Sequence, residues 1–239
     1  MSAIPKSSGK SVSRRFYLWA GAFAALIVFT GFAQTFYLKG MFETPALSGL
    51  LMMHGVIMTL WFALFIVQVR LNAVGRNDLH RRLGVFGAIL AGLVVAVGVA
   101  VAIDSGRRGF TPAPEVPPLV FMAVPLFDLA VFTVLVAVAL WHRRRGDIHK
   151  RLMLLATVSL LTAAIARIPL GFIEQGGLPV FFGLMILFVI TCVAIDTARI
   201  RRLHPAFGWG SGLIILSVPL RLMVGGTASW TQFASWLVG

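Results

Sequence analysis

Apolar residues in this 239-residue chain collect into seven long runs, covering 16–38, 46–70, 83–103, 118–140, 152–173, 178–198 and 206–224. A helix rising about 1.5 Å per residue crosses a hydrocarbon core of about 30 Å in about 20 residues, so each run predicts a membrane-spanning helix. Glycine and proline clusters punctuate the runs at Gly75, Gly106 and Gly109, Pro112 to Pro118, Gly146, Gly176 to Pro179, and Gly225-Gly226. The fold class that follows is an all-α integral membrane protein, a seven-transmembrane-helix bundle. Residues 1–15 form a basic tail, 16–224 the bundle, and 225–239 an outer tail whose Trp230 and Trp236 suit a membrane interface.

The polar stretches between the runs carry a repeat. Asp78-Leu79-His80-Arg81-Arg82-Leu83 and Asp147-Ile148-His149-Lys150-Arg151-Leu152 agree residue type for residue type, each between two apolar runs. Arg202-Leu203-His204-Pro205 is a looser echo at a third junction. The architecture predicted is therefore a repeated helical hairpin. Asp78 and Asp147 stand where a helix N-cap belongs, and each following leucine opens a span. In the span 83–103, Gly84, Ala88, Gly92, Ala96 and Ala100 form a stripe of small side chains. Such a stripe lets helices approach closely in lipid, either around a central, protein-covered helix or at a homodimer seam.

Composition agrees. The chain is 59% hydrophobic and 12% charged, outside the range of soluble domains. The net charge of +13 lies in short segments between spans and lacks the aromatic interleaving of a nucleic-acid surface, so no nucleic acid is expected. One side holds Lys6, Lys10, Arg14, Arg15, Arg70, Arg76, Arg81, Arg82, Arg143, Arg144, Arg145, Lys150, Arg151, Arg199, Arg201 and Arg202. The other holds only Lys39, Arg107 and Arg108. The positive-inside rule then predicts a cytoplasmic N-terminus and an outside C-terminus. Ser13-Arg14-Arg15-Phe16-Tyr17-Leu18 resembles a twin-arginine export signal, but the following run exceeds a signal core of about 7–15 residues. It is expected to stay as the first span. The single Cys192 lies in an apolar run and cannot form an internal disulfide.

Two groups of polar residues could carry chemistry. His80, His149 and His204 fall at one level on the basic side. They are either interfacial side chains of a duplicated capping sequence, ligands of a metal or haem, or members of a proton relay. His142 stands in an arginine-rich turn and reads as solvated. The second group, His54, Asp128, Arg167 and Arg221, lies inside the opposite half of the spans. A charge near the bilayer centre costs roughly 2.5–3.5 kcal/mol on the milder scale, so these residues are expected to pair, Asp128 with Arg167 first. They form either a structural ion pair or an outward-facing polar pocket for a carboxylate, phosphate or propionate. Pro125 and Pro169 would bend the helices around such a pocket. Met58 and Trp61 share the face of His54 and are expected to pack, and Asp196 to pair with Arg199 or a nearby loop base.

The two repeated junctions resemble the histidine–base–leucine junctions of small bacterial polytopic families of unknown function, one of them linked to cytochrome c oxidase assembly. His54-Gly55-Val56-Ile57-Met58 resembles the second helix of haem–copper oxidase catalytic subunits, which implies haem ligation at His54. That family's copper-binding histidines have no counterpart here. No paired carboxylates, nucleophile elbow, phosphate loop or zinc-protease motif appears, so no catalytic residue is nominated. The resulting expectation is an inner-membrane accessory protein that binds haem or assists a respiratory oxidase, with oxidase subunits as partners. The alternative is a small-molecule or proton-coupled carrier built on His54, Asp128, Arg167 and Arg221.

Overall fold

The computed structural model describes residues 8–113 and 115–239, with side chains from Arg15 onward. Lys6, Pro114 and the side chains of Lys10 and Arg14 lie outside this description. Among the described residues there is no strand. The helices in order are α1 (Ser8–Phe32), continued by a π-helical turn (Ala33–Tyr37), then α2 (Lys39–Phe42), α3 (Gly49–Ala73) and α4 (Asn77–Arg107). There follow α5 (Pro118–Phe121), α6 (Ala123–Trp141), α7 (Gly146–Ser159), α8 (Thr162–Ile165), α9 (Gly171–Ile200), α10 (Pro205–Gly225) and α11 (Ala228–Val238). Seven stretches are long and apolar enough to cross a membrane, with α5–α6 and α7–α8 each counting as one. Each of the seven apolar runs is therefore helical over most of its length.

The breaks have local causes. α3 begins at Ser48, whose Oγ accepts from the Leu51 amide at 3.3 Å, a side-chain N-cap. The run 152–173, expected as one helix, is interrupted after Ser159 and ends at Ile165. Ser159 turns its hydroxyl back onto the Ala156 carbonyl (2.9 Å), and Pro169 disfavours the helical conformation at the residue before it. α9 starts earlier than its apolar run and kinks at Gly177, whose φ of 56° and ψ of −148° suit only glycine, two residues before Pro179.

α3 packs chiefly on α4 and α6 on α7, so each copy of the repeated junction sits in the turn of a helical hairpin. The central element is α7. Its Leu152, Leu154, Leu155, Ala156 and Val158 have no exposed surface, and α1, α6, α9 and α10 surround it. This corrects the expectation that the small-residue stripe marks the central helix. On α4 the buried face is Leu90, Ala91, Val94, Val97, Gly98 and Ala102, while Gly92 and Ala96 point outward. Close helix approach happens at other glycines. A methyl group on Gly31 would run into the Ala164 carbonyl of α8, and one on Gly98 would meet Leu129 at 2.9 Å.

The C-terminal tail is helical and docked. Trp230 is buried against Met122, Ala123 and Ala102, and its indole N–H donates to the Leu119 carbonyl at 2.8 Å. Arg107 reaches the Val238 carbonyl at 2.8 Å, which ties α11 to the end of α4. Trp236 remains exposed.

Candidate functional site

The two repeated junctions are equivalent in three dimensions. His80 and His149 are each the fourth residue of their helices, α4 and α7. Neither acidic residue is the cap itself. Asp78 and Asp147 lie inside the first turn, where a carboxylate still opposes the positive end of the helix dipole. Asp78 stands 3.6 Å from Arg76, and Asp147 3.3 Å from His204.

Because α4 and α7 begin at the same end of the bundle, the two histidines converge. Their rings stand edge-on, with centroids 6.4 Å apart and planes at 86°. They line a cavity of about 700 Å³ between α1, α3, α4, α6 and α7. That size is typical of a small-molecule site, for which roughly 300–1,000 Å³ is usual. One wall is α4, where Gly84, Gly87 and Ala88 leave room that larger side chains would take. Part of the small-residue stripe therefore shapes a cavity rather than a helix seam. Exposed Arg81, Arg143 and Arg144 ring the mouth.

Inside, polar atoms go unanswered. Among the described residues eight buried side-chain polar atoms have no hydrogen-bond partner, and four of them belong to this lining: Tyr17 Oη, Trp61 Nε1, Gln68 Oε1 and His80 Nδ1. An unsatisfied buried donor or acceptor costs about 1–3 kcal/mol, and native proteins keep few of them. All four are walled in by their neighbours, so these residues turn other atoms toward the hollow. His149 is held differently. Its Nδ1 donates to the Ala139 carbonyl at 2.8 Å, since a carbonyl can only accept. Its Nε2 is then the nitrogen with a lone pair.

His204 takes no part in this site. Its Nδ1 accepts from the Ala206 amide at 3.2 Å, which makes it the N-cap of α10, and its Nε2 faces Asp147. The three-imidazole arrangement expected from the sequence is thus a pair plus a cap. Consistently, no group of three or more His, Cys, Asp or Glu side chains able to hold a metal ion occurs among the described residues. His142, read from sequence as solvated, is half-buried with its Nδ1 on the Val138 carbonyl at 3.0 Å.

The second predicted group is divided. Asp128 pairs with Arg221, not with Arg167. Arg221 is fully enclosed: it also donates to Ser217 Oγ (2.7 Å) and the Ser217 carbonyl (3.1 Å) and lies over the Phe182 ring. Arg167 instead donates to the Ala163 carbonyl at 2.9 Å and covers Phe32. His54 is half-buried, with its Nδ1 unpartnered among the described residues. The four side chains do not converge on one pocket. Arg167 sits in a short α8–α9 connection, which carries it away from Asp128 on α6. Asp196 pairs with Arg151 at 2.6 Å, a base of the neighbouring 141–151 segment as expected, and not with Arg199, because α7 buries that arginine against α9. Arg199 covers Phe16.

Tyr17, Trp61 and Gln68 were not nominated from sequence as site residues. Gln68 carried a signal, a lone amide within the apolar run of α3. Trp61 does pack, edge-on to Phe132 at 4.9 Å, and its buried N–H has no partner.

No protein-family model matches the chain, and no curated protein or solved structure is significantly similar to it.

Proposed function

We propose that this is a multi-pass protein of the bacterial inner membrane, with its N-terminus and the His80–His149 cavity on the cytoplasmic side. Its role is to bind a small-molecule cofactor in that cavity as an accessory protein of the respiratory or haem-handling kind. Seven helices of spanning length and the one-sided distribution of bases support the orientation. The observation that carries the binding role is the hollow of about 700 Å³ framed by both copies of the repeat, with His80 and His149 together in its wall. The junction resemblance supports the link to respiratory assembly.

Native mass spectrometry of the detergent-purified chain tests the binding role. The expected spectrum shows one cofactor-sized adduct per chain, which Gly84→Leu and Gly87→Leu remove by filling the hollow while the chain stays monodisperse. An adduct-free chain, or one whose adduct survives both substitutions, contradicts it.

A further inference from the structure

We propose that the cavity is a haem site in which His80 and His149 supply the two axial ligands of the iron. The inference rests on the reading that this cavity holds a cofactor, and it names which one. The separation of the rings comes first. Two metal–nitrogen bonds of about 2.0 Å on opposite sides of one ion place imidazole centroids roughly 6.3 Å apart. The observed value is 6.4 Å.

The tautomer comes next. A metal-bound histidine characteristically donates its other ring N–H to a carbonyl or carboxylate. His149 has that bond, from Nδ1 to the Ala139 carbonyl at 2.8 Å, which leaves Nε2 for the iron. His80 holds the equivalent position of the other repeat, and there Gln68 Nε2 donates to its backbone carbonyl at 3.2 Å, while its ring Nδ1 has no partner to match the His149 bond.

The donor count favours a porphyrin over a bare ion. Two imidazoles alone make a poor site for a free divalent metal, and no third His, Cys, Asp or Glu joins them among the described residues. A porphyrin brings four nitrogens of its own and asks the protein for two. The surroundings suit its two halves. Trp61, Leu140 and Met153 give apolar walls for the macrocycle, and Arg81, Arg143 and Arg144 stand at the mouth for the propionates.

Imidazoles on both faces leave the iron no open position. The site therefore suits one-electron transfer or haem holding, not oxygen binding. The near-perpendicular rings add a spectroscopic signature, since crossed axial imidazoles give a strongly anisotropic low-spin ferric resonance.

The test is optical and paramagnetic spectroscopy on the full chain purified in detergent from haem-replete cells. A Soret band, sharp reduced bands, one haem per chain, no carbon monoxide shift and the anisotropic ferric signal are expected. His80→Ala and His149→Ala should each open the iron to carbon monoxide, and added imidazole should restore the six-coordinate spectrum. That rescue separates lost ligation from lost folding. His204→Ala and His54→Ala should leave the spectrum unchanged. A colourless chain, or a band indifferent to both cavity histidines, overturns the assignment. If a colourless chain carries a quinone that Gly84→Leu displaces, the haem assignment alone falls. If it carries nothing, the cofactor-binding reading falls with it.

Discussion

Among the described residues the two fully enclosed arginines, Arg151 and Arg221, each meet one aspartate, Asp196 and Asp128. Arg151 and Asp196 are enclosed together, with Arg151 Nε and Nη2 both on Asp196 Oδ2 at 2.7 and 2.6 Å. Removing one member of a buried pair strands the other and costs about 3–5 kcal/mol, far more than the pair contributes over an apolar substitute. Asp196→Asn should therefore lower the thermal midpoint in detergent steeply, whereas Arg167→Gln, which forfeits one bond to the Ala163 carbonyl, should shift it little. Differential scanning measurements on the two variants decide this. Equal losses would show that Arg167 carries a partner of comparable weight. Polarity and depth were readable in the sequence for Asp128, Arg221 and Arg167. Partner choice was not, because it depends on how α6, α8 and α10 are rotated about their axes.

At the scale of elements, the spans themselves were legible, since an apolar run of spanning length has few alternatives to a helix. Which face of a span meets protein was less so. In lipid-facing helices both faces are apolar, so periodicity loses the contrast that marks a core in soluble helices. The stripe Gly84–Ala100 illustrates the difficulty: small residues allow close packing, but only a neighbouring backbone shows whether it occurs. On α1 it does, at Gly31, and on α4 at Gly92 there is open space. Gly31→Val should accordingly abolish recovery of monodisperse protein, while Gly92→Val should be tolerated. If Gly92→Val instead halves the particle mass measured by light scattering, the outward stripe is a seam between two copies. The duplicated junction was the most informative element. It placed His80 and His149 at matching positions, although the sequence offered no reason to separate them from His204, whose proline-initiated helix makes it a cap.

At the scale of the molecule, two helical hairpins bearing the same junction are arranged around a central α7 so that their turns enclose one hollow at one end of the bundle. The repeat puts the two histidines at the same position of their helices, and the packing of the two hairpins brings their rings together. The cavity walls come from five helices, so its unsatisfied atoms could not be grouped before the fold was known. The orientation of the whole governs its use, because a cofactor at this end meets the cytoplasm and the inner leaflet if the bases obey the positive-inside rule. Sidedness of labelling measures that directly. With the buried Cys192 replaced by serine, a single cysteine is placed at Arg144 beside the cavity mouth or at Arg108 at the opposite end, and each is exposed to a membrane-impermeant maleimide. Arg144→Cys should react only in inside-out vesicles and Arg108→Cys only in intact spheroplasts. Labelling of Arg144→Cys from outside intact spheroplasts would contradict the account.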